Sequence, residues 1–174
     1  MAEPLQPVRM FRALARARVE YILIGGLAAV LHGAPIVTQD ADICPRRTPE
    51  NVRRLATALR GMRARIRALT EPDGVEFACD AAFLERMKMV NLTTRFGDFD
   101  LSFEPGGFTG GYDDLVSHAT TFDIEGIPVR AAALSDIISS KQVANRPKDH
   151  VALPILYALE DEIAAREAGG GATN

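Results

Sequence analysis

Two pairs of aspartates in this sequence stand one residue apart: Asp40 and Asp42 in Thr38-Gln39-Asp40-Ala41-Asp42-Ile43, and Asp98 and Asp100 in Phe96-Gly97-Asp98-Phe99-Asp100-Leu101. Side chains alternate along a strand, so each pair projects from one face. Carboxylates held that close repel unless a cation sits between them. Hard divalent ions such as Mg²⁺ choose oxygen ligands, often one or two carboxylates together with substrate phosphates. If the strand bearing Asp100 lies beside the one bearing Asp40 and Asp42, three acids meet. That is a site for two metals about 3.5–4 Å apart, which steady the entering and leaving oxygens of a phosphoryl displacement. Upstream, Gly25-Gly26 follows the apolar run Tyr21-Ile22-Leu23-Ile24. A side-chain-free turn before a helix lets backbone N–H groups approach a phosphate. Neither motif is specific alone; their order, strand, Gly-Gly, short helix and Asp-x-Asp strand, carries the information.

Further along, Ser140-Lys141-Gln142-Val143-Ala144-Asn145-Arg146-Pro147-Lys148-Asp149 gathers polar groups. Lys141 and Asn145 are four apart on one helix face, and Arg146 and Asp149 follow across Pro147, so the group can converge on one cleft. A plain ion pair between helices is the structural reading of Lys141 and Asp149, and Arg146 and Lys148 read equally as a solvated face.

Gly25-Gly26, Asp40-x-Asp42 and a later strand carboxylate resemble the nucleotidyltransferase fold of the DNA polymerase beta superfamily. The Lys141 to Asp149 segment resembles the abortive-infection branch, which includes nucleotidyltransferase toxins of type IV toxin–antitoxin systems. The likeness covers roughly residues 19 to 157. It implies a metal-dependent nucleotidyltransferase that uses a nucleoside triphosphate with Mg²⁺ or Mn²⁺. By the same resemblance Asp40 and Asp42 ligate metal, and Asp100, in preference to Asp98, is the third carboxylate, assisting a metal or deprotonating the acceptor. Gly25 and Gly26 line the triphosphate, Thr38 donates to it, Lys141 and Arg146 meet phosphate charge, and Asp149 orients Lys141 or an acceptor group. Two positions depart from the pattern: Ile36 replaces a polar residue, which weakens one phosphate or acceptor contact, and Ala41 replaces a bulky aliphatic, which thins the core beside the acids.

The elements that position these residues follow from periodicity. Leu5 to about Arg18 reads as a helix, Tyr21–Ile24 as a strand, Leu27–His32 as a short helix, and Thr38–Cys44 as a second strand. Pro49 opens a helix whose apolar stripe is Val52, Leu55, Leu59, Met62 and Ile66. Asp73-Gly74 reads as a turn. Met87–Arg95 with Asp98–Phe103, and Thr120–Ile124 with Ile127–Ala132, read as hairpins. Leu134–Asn145 is a helix with Ser135 as its candidate N-cap; Pro147 restarts helical geometry, and Pro154 is expected to break it before Ile155–Arg166. The expected fold is α/β (α+β): a small mixed sheet, helices mainly on one side, and a C-terminal helical segment, forming a single domain over 1–168 with a disordered tail, 169–174.

Composition bounds the function class. The chain has 174 residues, 47% hydrophobic and 25% charged, with a net charge of −3, which suits one globular domain. Two cysteines and three scattered histidines build no zinc site and point to a reducing compartment. Arginines precede the apolar run 21–37, but Gly25-Gly26, His32, Gly33 and Pro35 interrupt it well short of a membrane span, so a cytoplasmic location is expected. His32 reads as a core or capping residue and Cys44 as buried and inert. Between Arg46 and Arg67 eight arginines stand against one acid, Glu50. The face opposite the apolar stripe, with Arg53, Arg60 and Arg67, is either solvated surface or an electrostatic dock for RNA such as tRNA. Taken with that face, the family resemblance implies RNA as the acceptor, and it implies a toxin paired with a protein antitoxin. The alternatives are transfer to a small molecule or protein, and a non-catalytic interaction protein on the same scaffold.

Overall fold

The computed structural model describes residues 3–170; residues 171–174 of the expected tail lie outside the described residues. The chain runs α1 (Pro7–Arg16), β1 (Tyr21–Ile24), α2 (Gly25–Leu31), β2 (Asp40–Pro45), α3 (Pro49–Gly61), β3 (Arg65–Ala68), β4 (Glu71–Val75) and α4 (Ala81–Glu85). It continues through β5 (Met89–Thr94), β6 (Gly97–Ser102), α5 (Tyr112–Leu115), β7 (Thr120–Ile124), β8 (Ile127–Ala131), α6 (Leu134–Ala144) and α7 (Pro147–Gly170). The strands form one mixed eight-stranded sheet in the order β4-β3-β5-β6-β2-β1-β8-β7. Among the described residues no helix is long and apolar enough to cross a membrane.

The sheet is larger than the small one expected, and the reason lies after α3. Thr48 caps α3, its hydroxyl accepting from the Asn51 N–H at 3.3 Å, and Pro49 sits in the first turn where its missing N–H costs nothing. Val52, Leu55, Leu59 and Met62 are fully buried, as the stripe predicts. The stripe stops there. Arg63 turns left-handed (φ 56°), and the chain leaves as β3, so Ile66 pairs with Leu92 across a strand ladder instead of extending the helix. A residue four places beyond Met62 suits either continuation locally; pairing with β5 decides it. The expected Asp73-Gly74 turn is instead interior to β4, where Gly74 (φ 73°) leaves no space for a Cβ, which would lie 2.8 Å from Thr93 Cγ2.

Both predicted hairpins form, β5 against β6 and β7 against β8, each antiparallel. In β6, Phe99 and Leu101 are buried while Asp98, Asp100 and Ser102 alternate with them on a more open face. Ala41 and Ile43 occupy the buried side of β2 in the same way. Helices stand on both faces, not mainly on one. Helix α3 touches α1 and β2 and adds its stripe to the buried core. The start of α2 meets the Asp42 carboxylate, and α6 walls the cleft over the aspartates.

Two C-terminal expectations change. Helix α6 starts at Leu134 behind Ala133, with no side-chain cap, so Ser135 is not the N-cap; Asn145 ends it left-handed (φ 49°). Helix α7 passes through Pro154 without breaking. One proline removes a single N–H bond, and continuing the helix lets Leu156 and Leu159 stay buried in register with half-buried Leu153 and Ile163. His32 is structural as expected, with Nε2 2.8 Å from the Ala132 carbonyl oxygen, and Cys44 is fully buried.

Candidate active site

Strand β2 runs parallel to β6, with Asp40 opposite Asp98 and Asp42 opposite Asp100. Alternation chose the face and this register chose the neighbours. As a result one carboxylate oxygen from each of Asp40, Asp42 and Asp100 lies within 4.8 Å of the others, at the floor of a cleft of about 320 Å³. Three half-buried carboxylates there carry a cost. Burial first, then the charges of Asp40 and Asp100, push the Asp42 carboxyl up to about 7, against the opposing pull of Lys148 and Lys141. Burial also raises Asp100, with the Arg67 guanidinium pulling the other way. Closely grouped hard oxygen donors of like charge fit a divalent cation, which removes the repulsion they otherwise suffer.

Gly25 is shaped by the same carboxylate. Its φ is +69°, and a Cβ there would approach Asp42 Oδ2 to less than 2.5 Å. Any side chain would combine left-handed backbone strain with displacement of the carboxylate. Gly25→Ala is therefore expected to lower the thermal midpoint by several degrees. Gly126→Ala, which has the same positive φ (80°) but nothing within 4 Å of its Cβ, gives the backbone cost alone. Equal losses in the two variants, measured by scanning calorimetry, would show that the Asp42 contact is irrelevant.

The other predicted residues divide. Lys141 and Arg146 line the cleft. Asp149 is fully buried and holds both of them: Lys141 Nζ is 3.3 Å from Oδ1, Arg146 Nε 2.8 Å from Oδ2, and the Arg146 backbone N–H also donates to Oδ2 at 3.1 Å. Burial works against the Asp149 charge, but the Arg146 and Lys141 hydrogen bonds outweigh it and hold the carboxyl at about 2. Thr38 braces Asp40, donating to its carbonyl oxygen and to Oδ1, both at 3.1 Å. Gly26 backs onto Thr38, with its Cβ position 3.0 Å from Oγ1. Ile36 packs against the core and Ala41 is fully buried.

Arg67 departs most from its sequence reading. It does not lie on the arginine face of α3 but on β3, inside the cleft. Its Nη1 is 2.8 Å from Asp98 Oδ2, and its Nη2 is 2.8 Å from both Asp100 oxygens. Asp98 thereby joins the site, with its Oδ1 buried and without a hydrogen-bond partner among the described residues. The arginine face is thinner than expected: Arg60 is engaged by the Cys79 carbonyl at 2.7 Å and the Thr57 hydroxyl at 3.2 Å, while Arg53 stays on the exposed side of α3. Lys148, Asn91, Glu104 and Asp136 also line the cleft. Only the place of Lys148 within the Lys141–Asp149 segment hinted at this; the others carried no local signal.

No protein-family model matches the chain, and no curated protein matches it. Solved structures do. The solution structure of the antibiotic-resistance factor ANT(2'')-Ia superposes with a TM-score of 0.50 at 15% identity, covering 93% of this chain and 91% of that one. A crystal structure of a candidate nucleotidyltransferase from Thermotoga maritima gives a TM-score of 0.46 at 13% identity, covering 97% of each chain. With its mixed sheet, flanking helices and Gly-Gly and Asp-x-Asp elements in that order, the chain has the nucleotidyltransferase fold.

Proposed function

We propose that this protein is a metal-dependent nucleotidyltransferase that moves a nucleoside monophosphate from a nucleoside triphosphate to an acceptor hydroxyl. The observation that carries the reading is the convergence of Asp40, Asp42 and Asp100 in one cleft that also presents Lys141, Arg146 and Lys148. Asp40 and Asp42 would hold divalent metal, with Asp100 as the third ligand. Bound there, Mg²⁺ or Mn²⁺ supplies charge neutralisation of the triphosphate and a lowered pKa for the attacking hydroxyl. Lys141, Arg146 and Lys148 meet the negative charge of the β- and γ-phosphates. Gly25 leaves room for the phosphates to reach Asp42. The acceptor oxygen bonds to the α-phosphorus while the bond from that phosphorus to the bridging oxygen breaks. Pyrophosphate leaves, and the acceptor proton passes to Asp100.

The test is incubation with each labelled triphosphate, Mg²⁺ and total RNA. Label transfer that disappears in Asp42→Ala supports the proposal. Calorimetry that finds no metal-dependent binding of any triphosphate favours the non-catalytic reading.

RNA is the acceptor the family resemblance implies; Arg53 stands exposed on α3 to dock it, and Arg60, also exposed, would have to leave its Cys79 and Thr57 contacts. A toxin role makes its own claim: expression without an antitoxin partner arrests growth, and expression of Asp42→Ala does not. A second acceptor class is favoured by a separate observation. Glu104, 2.9 Å from Lys88 Nζ, and Asp136, 3.3 Å from His118 Nδ1, line the same cleft, and acids there suit a positively charged small molecule or protein better than a polyanion. That class predicts labelled product without RNA, and indifference to Arg53→Glu and Arg60→Glu.

A further inference from the structure

One cation in the cleft has no part in the chemistry above. Arg67 bridges Asp98 and Asp100, so the third carboxylate enters the triad with both oxygens already accepting from a guanidinium. The Asp40 carboxylate, by contrast, accepts from a neutral hydroxyl, that of Thr38. Next to the bridge, Asp98 Oδ1 is buried with no hydrogen-bond partner among the described residues. A buried carboxylate oxygen left unpaired is costly, and such atoms call for an explanation.

We propose that Arg67 is a displaceable counter-cation of Asp100 that makes the divalent ions bind in order: one on Asp40 and Asp42, a second only when Arg67 releases Asp100. The inference rests on the metal reading above. Two features make the exchange feasible. The guanidinium stays tethered to Asp98 Oδ2 through Nη1 when Nη2 lets go of Asp100. The unpaired Asp98 Oδ1 is then the acceptor for the freed N–H, converting the bridge into a two-point arginine–carboxylate pair. The retreat gives up the two Nη2 contacts to Asp100, keeps the Nη1 contact to Asp98 Oδ2, and satisfies the oxygen that the bridge leaves bare. Without metal, the bridge neutralises a carboxylate that would otherwise repel Asp42. With a second ion in place, that neutralisation is no longer needed.

Arg67 is thus a positioning residue, and its test is metal binding without nucleotide. Mn²⁺ is titrated into the full chain, following free Mn²⁺ by electron paramagnetic resonance and total binding by calorimetry. The wild type should take one ion tightly and a second weakly. Arg67→Gln should bind the second about tenfold more tightly or better, since no charge-assisted guanidinium contact to the Asp100 oxygens then has to break before the ion enters. Arg67→Lys keeps the charge but cannot bridge two carboxylates, so it too should tighten the second site. Asp98→Asn removes the place to which the guanidinium retreats and should weaken it. A simple brace that orders Asp100 predicts weaker binding in Arg67→Gln, and a mere field effect predicts wild-type binding in Arg67→Lys; either result overturns the proposal. Asp42→Asn separates the two readings. If it alone loses the first ion while the Arg67 variants match the wild type, the metal site stands and this inference falls. If no variant, nor the wild type, binds Mn²⁺, both fall.

Discussion

Asp42→Asn is expected to abolish nucleotidyl transfer and, in the same protein, to raise the melting temperature measured without divalent ions. Loss of a metal-binding carboxylate removes several kcal/mol of transition-state stabilisation, which at about 1.4 kcal/mol per decade is roughly a thousandfold in rate or more. The stability effect has the opposite sign because the carboxylate is strained when metal-free. Burial, then Asp40 and Asp100, move its pKa from the ordinary 3.8 up to about 7. Between those values the folded chain holds a proton that the unfolded chain has released, so stability falls as pH rises through this window. Above it, the charged form costs the fold roughly 4 kcal/mol. The metal-free wild type should therefore melt higher at pH 5.5 than at pH 8, and Asp42→Asn should show a flatter slope. Mg²⁺ should flatten the wild-type slope by supplying the missing cation. Scanning calorimetry at four or five pH values checks this, and equal slopes in the two proteins would remove the argument that the carboxylates are packed against their own repulsion.

The largest loss of stability is expected from Asp149→Asn. This side chain is fully buried, and its charge is matched by Lys141 and Arg146. Its carboxyl lies at about 2, below the ordinary value, so its contribution is complete above about pH 4 and disappears as pH falls from there towards 2. The shift corresponds to roughly 2–3 kcal/mol. Arg146 is half exposed, so water screens part of its contribution, whereas the contact to the mostly buried Lys141 is screened less. Removing the anion leaves Lys141 without its partner, and breaking a buried pair costs more than the pair is worth. A loss of about 3 kcal/mol would lower the melting temperature by roughly 6–12 °C in a chain of this length. Because Lys141 also lines the cleft, the KM for the triphosphate should rise more than kcat falls. Urea denaturation that puts Asp149→Asn within about 0.5 kcal/mol of the wild type would show that the trio is ornamental.

Much of the site was legible because it is written in short-range periods. Tyr21–Ile24, the Gly-Gly pair, the short helix and the Asp-x-Asp strand fall within about two dozen residues, and strand alternation alone puts Asp40 and Asp42 on one face. The hairpins β5–β6 and β7–β8 are marked by tight turns at Phe96-Gly97 and Glu125-Gly126, and both formed. What escaped were residues whose local pattern admits two continuations. Ile66 fits a helical stripe or a strand, and Pro154 fits a helix end or a helix interior. Where β3 pairs with β5, and where Leu156 and Leu159 are buried, the longer-range contact wins.

Local periodicity sets which side chains of β2 and β6 share a face, because that follows from the two-residue period of a strand. Which faces meet is fixed by packing between distant segments. The parallel register of β2 on β6 puts Asp100, not Asp98, opposite Asp42. The β3–β5 pairing turns Arg67 from a presumed surface charge into the partner of Asp98 and Asp100. A strand's side-chain pattern repeats every two residues along its whole length, so alternation selects a face but leaves the register to packing between segments far apart in the chain.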